Sequence, residues 1–422
     1  MTNHVLCKKV SCEKRSSLSA LAYGSSTAPS GPSTDSSDIV LCQRIEQSGR
    51  IPPPSSLLTD YAELTNRNSL VNPVYLARRR RFYRIVRSAA YYCDHLPLYR
   101  QSQIYARAGL ELDRATMAEW VGLLAQLVEP LLEALGDYVM APEKLHADDT
   151  PIPVLAPGTG KTKTGRLWTY VRDDRPSGST DPPAVLFRYS PDRKGERPRE
   201  HLQHFRGVLQ ADGYAGFQGL YDRQHEPLLE AACWAHARRK YFDLHASTAS
   251  PLALEALERI AALYKIEEQC RGKSPTERRA ARQEHAVPRL EKLREWLEAT
   301  LRKTSKKSEL AGAIRYTLSR WAALTRYCED GRIEIDNSAA ERTLRAVALG
   351  RKNYLFAGSD AGGERAAAFY SLIGSAKLND MDPEAYLREV FTRIAEHPIN
   401  RIEELLPWNL ASGTAADVKS AA

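Results

Sequence analysis

The sequence has 422 residues, of which 43% are hydrophobic and 27% charged, so it is long enough for two or three domains and apolar enough to exclude a wholly disordered chain. The net charge of +8 and the isoelectric point of about 9.0 favour a polyanionic partner, although many basic proteins bind no nucleic acid. No apolar run approaches the roughly 20 residues of a membrane span and no signal peptide is evident, so we expect a cytoplasmic protein.

The N-terminal part of the chain has no sustained hydrophobic periodicity. Residues 1–57 are rich in Ser, Pro and Gly, which predicts a disordered leader. In residues 75–87, six arginines are interleaved with aromatic and aliphatic side chains, which indicates a basic amphipathic segment. A solvated helical face and a phosphate-binding surface are equally good interpretations of this segment.

Residues 98–137 have helical spacing and predict two helices. The second carries a broad apolar stripe from Met117 to Leu135, and we expect it to end at Gly136. Such a stripe indicates packing against a core or a partner.

The next part of the sequence consists of short strand-like runs separated by turns rich in Gly, Asp and Pro. Three runs predict an antiparallel meander, and two further strands alternate with short helices. The predicted strands are 151–155, 166–172, 184–189, 207–212 and 228–234, with helices near 199–205 and 216–221. This order predicts an α/β fold, an RNase H-like mixed five-stranded sheet with a helical insertion and flanking N- and C-terminal helical regions.

The remaining sequence is mainly helical. Residues 237–330 mix charged and apolar residues at helical spacing, and a second helical region at 338–396 is interrupted by the glycine-rich residues 358–363. We therefore expect six regions. They are a disordered leader (1–57), a helical, basic, DNA-binding or connecting region (58–140), the first part of the core (141–245), a helical insertion (246–332), the last part of the core (333–378), and a C-terminal helical region with a tail (379–422).

Two aspartates lie at ends of predicted neighbouring strands. Asp148 stands in HADDT (146–150), where the first strand is expected to begin, and Asp212 ends the fourth strand. Carboxylates at such ends can converge on one point, and hard oxygen ligands are what Mg²⁺ or Mn²⁺ prefers. The alternative is that both are ordinary turn formers.

A third acidic candidate is Glu341, in DNSAAER (336–342). Its spacing from Ser338 also fits a capping box, in which the glutamate only bonds back to the start of its helix, and Asp336 is a competing ligand. Basic residues follow, and they suit either phosphate contact or, for Arg345, an exposed pair with Glu341. These basic residues are Arg342, Arg345, Arg351 and Lys352.

The seven cysteines are scattered without any CxxC pair, which argues against a disulfide framework or a zinc ribbon. Cys233 and His236 have a spacing that zinc tolerates, but no matching second pair is evident. We therefore interpret Cys233 and His236 as a structural anchor. The basic residues beside them predict a DNA-facing edge and are Arg238, Arg239 and Lys240.

The stretch GTGKT (158–162) resembles a phosphate-binding loop. The leading glycine of that motif would fall at Leu155, however, and the stretch lies between two strands rather than before a helix. We interpret it as a mobile hairpin tip with Lys161 and Lys163 free to contact DNA.

Seven stretches, in order along residues 91–410, together resemble the transposases of the insertion sequence 66 group. They are YCDHLPLYRQ (92–101), HADDTP (146–151), QADGYAG (210–216), CWAHARRK (233–240), DNSAAER (336–342), GRKNYLFAGS (350–359) and ELLPW (404–408). The resemblance implies a DDE-type transposase with an RNase H-like core and a helical insertion between the second and third acids.

It further implies that Asp148, Asp212 and Glu341 are the catalytic residues and hold Mg²⁺ or Mn²⁺, with two ions expected. Asp149 takes the place of the acidic residue that usually follows the first aspartate. The implied partners are DNA, as terminal inverted repeats and as target, and accessory proteins of the same element. A homo-oligomer is expected when two ends are synapsed, and association with the bacterial nucleoid when the protein is on DNA.

The predicted function is metal-dependent cleavage at the ends of an insertion sequence and strand transfer into target DNA. Residues 1–90 show neither the N-terminal helical region nor the cysteine-paired zinc ribbon that family members usually carry. Two alternatives therefore stay open: an inactive truncated remnant that only binds DNA, and a hydrolytic nuclease.

Overall fold

The computed structural model describes residues 91–107, 109–222 and 228–411. The predicted leader at 1–57, the arginine-rich segment at 75–87 and the tail at 412–422 lie outside the described residues. Within the described residues, no helix is both long and apolar enough to cross a membrane.

A five-stranded mixed sheet forms the centre of the described structure. Its order is β3-β2-β1-β4-β5, in which β1, β2 and β3 are antiparallel and β4 and β5 run parallel to β1. This arrangement with its helical flanks confirms the predicted fold class. The strands are β1 Lys144–Ala156, β2 Lys161–Arg172, β3 Ala184–Ser190, β4 Val208–Ala211 and β5 Leu229–Ala232.

Two strands are longer than predicted. β1 begins at Lys144 rather than at 151, so Asp148 lies inside the strand and not where it begins. The buried Lys144 side chain is paired with Asp174 at 2.6 Å, which allows a charged residue to enter a covered strand. β2 begins at Lys161, so Lys161 and Lys163 belong to the strand and the predicted hairpin tip is shorter, at 157–160.

The helices surround this sheet. They are α1 Leu98–Arg107, α2 Arg114–Leu127, α3 Glu129–Met140, α4 Glu196–His201, α5 Gln218–Tyr221, α6 Trp234–Thr248, α7 Pro251–Cys270, α8 Pro275–Ala281, α9 Val287–Lys303, α10 Glu309–Ser319, α11 Trp321–Thr325, α12 Ser338–Gly350, α13 Asp360–Leu378 and α14 Pro383–Arg393. α6 to α11 lie between β5 and α12; of these, α7 to α11 fall in the predicted helical insertion at 246–332, and α6 falls mostly in the predicted first part of the core.

One predicted helix is wrong in its extent. The apolar stripe from Met117 to Leu135 is divided between α2 and α3, because Pro130 cannot continue a helix and instead occupies the first turn of α3. Gly136 lies inside α3 and does not end it.

The helix α13 covers the edge strand of the sheet. The hydroxyl of Ser371 accepts a hydrogen bond from the Phe187 amide at 2.8 Å, and that of Ser375 accepts one from the Val185 amide at 3.1 Å. Unpaired backbone donors on β3 are thereby satisfied, which protects this edge from pairing with another chain. The apolar side chains of α13 join the main core on this side of the sheet.

The helices α6 to α11 have an apolar core of their own, which meets the sheet at β4 and β5. Two buried arginines are tied into this part of the structure. Arg282 pairs with Glu267 at 2.6 Å, and Arg278 pairs with Glu334 at 2.7 Å, just before α12. The inserted helices are thus fixed to the segment that carries Glu341.

Candidate active site

The register of the sheet places Asp148 and Asp212 next to each other. In the parallel pairing of β1 with β4, His146 pairs with Gln210 and Ala147 with Ala211. Asp148 follows Ala147 within β1, and Asp212 follows Ala211 at the carboxyl end of β4. The Asp212 carboxylate accepts a hydrogen bond from the Tyr214 amide at 3.1 Å, which turns the chain immediately after the strand.

The helix α12 brings Glu341 to the same region, because it packs across β1 and β2. The hydroxyls of Thr343 on α12 and Thr169 on β2 are 3.2 Å apart, and Thr169 pairs with Asp148 in the sheet. Glu341 lies in the first turn of this helix with its side chain 44% exposed. Its carboxylate is accessible to solvent and lies near enough to Asp148 to raise the pKa of that residue.

The capping box considered for Glu341 does not form. The N-cap of α12 is Asn337, and its side chain makes no capping bond. The Ser338 amide instead donates to Asp336 at 3.0 Å, so Asp336 serves the start of the helix. Within the described residues, Oε1 of Glu341 lies 3.7 Å from Nδ1 of His236, and Glu341 forms no ion pair with Arg345.

The electrostatics of Asp148 show that Asp212 and Glu341 lie close enough to influence it. Burial is the main cause that raises the pKa of Asp148 to about 7; the Asp149 amide, which donates a hydrogen bond at 2.7 Å, opposes this rise, and the negative charges of Asp212, Asp149 and Glu341 add to it. A carboxylate that is held near other carboxylates is costly to ionise unless a cation is present. The all-oxygen donor set suits a hard divalent ion.

Asp149 has a different environment from Asp148, as expected for successive residues of a strand. Its side chain is 1% exposed and accepts hydrogen bonds from Arg166 at 3.0 Å and from Arg193 at 2.7 to 3.1 Å. Arg193 in turn lies over the ring of Tyr214, 3.9 Å from its centre. Asp149 therefore fixes the loop that follows Asp212, a role that sequence reasoning missed.

Asn337 connects the elements that carry the acids. Its amide group donates to the Ala147 carbonyl at 2.8 Å, so its side-chain oxygen accepts from Nδ1 of His146 at 3.0 Å. Burial lowers the pKa of His146 to about 3, which keeps this imidazole neutral. The backbone amide of Asn337 also donates to Sγ of Cys233 at 3.2 Å. Sequence reasoning missed Asn337, although it stands inside the DNSAAER motif.

The inserted helices also support the site. Arg320, which follows α10, donates to the Gly213 carbonyl at 3.0 Å, next to Asp212. The same guanidinium forms an ion pair with Glu230 on β5. The position of Asp212 thus depends on a residue more than 100 positions further along the chain.

Cys233, His236 and Glu341 form the group of possible metal ligands found within the described residues, with ligand atoms all within 4.8 Å of one another. Cys233 is buried at the end of β5, and burial raises the pKa of its thiol to about 12. His236 lies in the first turn of α6, with Nδ1 3.7 Å from Oε1 of Glu341. Glu341 on α12 is therefore a third possible ligand beside Cys233 and His236, the two residues of the predicted structural anchor.

The predicted DNA-binding residues do not share one environment. Arg351 is held inward by a hydrogen bond to the Pro151 carbonyl at 2.7 Å, and Lys163 is paired with Asp360 at 2.6 Å, so neither is as free as the sequence predicts. The others have exposed side chains, on α6, on α12, just after α12 and at the start of β2. They are Arg238, Arg239, Lys240, Arg342, Arg345, Lys352 and Lys161.

Comparisons with known proteins agree with this architecture. Residues 88–365 match the model of the Transposase IS66 family, and residues 371–408 match the IS66 C-terminal element. The uncharacterized proteins y4hP and y4qI of Sinorhizobium fredii are both 43% identical to the chain, over 78% and 75% of its length. The chain spans 62% and 60% of those two relatives. Since the family match covers most of the described residues, the chain belongs to the IS66 family of transposases.

Proposed function

We propose that this chain cleaves DNA at the ends of an insertion sequence and joins the ends to target DNA, with Asp148, Asp212 and Glu341 as the catalytic acids. The observation that carries the proposal is the approach of these acids from three separate elements. The sheet register sets Asp148 beside Asp212, and the charge of Glu341 raises the pKa of Asp148. A buried acid whose pKa is raised and that lies near other acids is typical of a functional site.

The three carboxylates fit Mg²⁺ or Mn²⁺ because they offer only hard oxygen ligands. Two such ions, when bound, would lower the pKa of the attacking water or 3′-hydroxyl and stabilise the leaving oxygen. The protein's part is to hold the carboxylates in place. Asn337 fixes α12 against β1, and Asp149 and Arg320 fix the turn after Asp212.

The exposed cations around the acids favour a DNA substrate. Arg238 and Arg239 lie two and three residues beyond His236 on α6, and Arg342 is next to Glu341 on α12. We propose that they contact phosphates of the terminal repeats or the target, and that such contacts make binding dependent on salt. We also propose the six-region division, accessory proteins of the same element and a homo-oligomer at synapsis.

The test is Mg²⁺- or Mn²⁺-dependent cleavage of DNA that carries the element's own ends. Asp212→Asn is expected to lower cleavage by at least about 100-fold, because it removes a metal ligand while keeping the side-chain shape. The matched control is Asp222→Asn, an exposed aspartate whose carboxylate bonds to Gln218, and it is expected to cleave like the wild type. Undiminished cleavage by Asp212→Asn would contradict the assignment.

Two further outcomes separate the alternatives. Strand-transfer products on a supercoiled target would support a transposase, whereas cleavage without joining would support a hydrolytic nuclease. DNA binding without cleavage, in the presence of either metal, would support a remnant that only binds DNA.

A further inference from the structure

Three chemically different ligand groups meet beside the proposed acids. The thiol of Cys233, the imidazole of His236 and the carboxylate of Glu341 have ligand atoms within 4.8 Å of one another, and Nδ1 of His236 is 3.7 Å from Oε1 of Glu341. In a tetrahedral zinc site with bonds of about 2.1 Å, nitrogen and oxygen ligands are about 3.4 Å apart. The observed distance between Nδ1 and Oε1 is close to this value.

The present partners of these atoms leave a position for a cation. Nδ1 of His236 is buried and has no hydrogen-bond partner among the described residues, and the atom that it approaches is the Glu341 carboxylate. A buried polar atom without a partner is costly, and a metal ion would satisfy it. The sulfur of Cys233 accepts a hydrogen bond from the backbone amide of Asn337 at 3.2 Å, which is the kind of support that a coordinating thiolate receives in metal sites.

We propose that Cys233, His236 and Glu341 bind one divalent cation of the thiolate-preferring class, for which Zn²⁺ is the model. The donor set excludes Mg²⁺ as the preferred ion, because Mg²⁺ takes oxygen ligands and water. Binding transfers the thiol proton of Cys233 to solvent. The side chains of His236 and Glu341 are 36% and 44% exposed, so water can complete the tetrahedron.

The site has a consequence for the proposed reaction, and this consequence rests on the proposed function. Glu341 is a member of both ligand sets, one with Cys233 and His236 and one with Asp148 and Asp212. A cation held by the thiolate and the imidazole keeps Glu341 from serving the two aspartates. Zn²⁺ therefore inhibits Mg²⁺-dependent cleavage by occupying Glu341.

The test for the site is a Co²⁺ titration of the purified full chain in its reduced form, followed by absorbance. A thiolate ligand gives a near-ultraviolet charge-transfer band, and tetrahedral Co²⁺ gives strong visible bands. We expect both in the wild type and in Cys270→Ser, a matched change of a buried thiol on α7. We expect the charge-transfer band to be lost in Cys233→Ser. No band in the wild type, or an unchanged band in Cys233→Ser, would overturn the proposal.

A second variant keeps the proposal testable if Cys233→Ser does not fold. His236→Asn changes a partly exposed side chain and is expected to weaken Co²⁺ binding by at least about tenfold, since even the loss of an outer-shell partner has that effect. Equal affinity would also overturn the site.

The activity readout is independent of the spectroscopic one. With wild-type chain and Mg²⁺, added Zn²⁺ is expected to suppress end cleavage, and His236→Asn is expected to need at least about tenfold more Zn²⁺ for the same suppression. Equal suppression of both would refute the sharing of Glu341. The Asp148→Asn variant should keep the cobalt bands while losing cleavage, so a failure of the proposed function can be distinguished from a failure of the metal site.

Discussion

Replacing Asp148 with Asn is expected to stabilise the metal-free protein at neutral pH. Burial and neighbouring negative charges raise the pKa of Asp148 from 3.8 to about 7. An acid with a raised pKa in the folded state opposes folding once it ionises. Its penalty is absent below the unfolded-state pKa near 3.8, grows as the pH rises, and is complete above about 7. Asn keeps the shape and the acceptor for the Asp149 amide but carries no charge.

The size of the effect follows from the two pKa values. The penalty that the substitution removes is about 4 kcal/mol at pH 8 but only about 2 kcal/mol at pH 5. For a cooperative unit of roughly 300 residues, 4 kcal/mol corresponds to about 6 °C in the unfolding temperature. The assay is thermal unfolding followed by circular dichroism in excess EDTA at both pH values.

The control variant is Asp222→Asn, which is exposed and should change the unfolding temperature little at either pH. Two results would refute the reasoning about Asp148. One is a variant that unfolds at or below the wild-type temperature at pH 8. The other is an equal gain at pH 5 and pH 8, because a gain that does not depend on pH cannot come from relieving an ionised carboxylate.

Three further predictions concern the surroundings of the site. Asp149→Asn is expected to lower the free energy of unfolding by about 2–4 kcal/mol, because the largely buried Arg166 loses its charged partner, and an unchanged urea midpoint would contradict this. Asn337→Ala is expected to lower the free energy of unfolding by about 2–4 kcal/mol, because it leaves buried polar groups unpaired, and also to reduce cleavage. Full activity in the folded variant would refute the positioning role of Asn337. Lys161→Ala should lower the slope of log DNA affinity against log salt concentration by about 1. Lys163→Ala should lower this slope less, because that lysine is already paired with Asp360. Equal slopes for the two variants would contradict this difference.

The succession of the five strands along the chain could be predicted from the sequence, because apolar runs and turn residues are local signals. The start of β1 could not, because Lys144 and His146 look like surface residues. Their burial depends on Asp174 and Asn337, which lie far along the chain. The division between α2 and α3 was available in the sequence, since Pro130 interrupts the apolar stripe.

The candidate site could be predicted only where its residues lie in recognisable local sequence patterns. Asp212 follows an apolar run, so its position at the end of a strand can be predicted, whereas Asp148 was expected where β1 begins and lies inside that strand. Glu341 was left between two interpretations, because a capping box and an inward-facing acid have the same local spacing. In the structure the helix begins after Asn337, and the Ser338 amide bonds to Asp336, so the capping box does not form. Asn337 is also held by Cys233, 104 residues away, and no local pattern encodes that contact.

The structure separates residues that are proposed to act from residues that hold them. The Asp148 carboxylate lies near other negative charges and, among the described residues, accepts a hydrogen bond only from the Asp149 amide, whereas the side chain of Asp149 is buried and bonded to two arginines. The same substitution of acid by amide should therefore raise stability at one position and lower it at the next. The two residues are neighbours in one strand, so opposite changes in the free energy of unfolding must come from the different surroundings of their side chains. This difference would distinguish an acid proposed to act in the reaction from one that supports the fold.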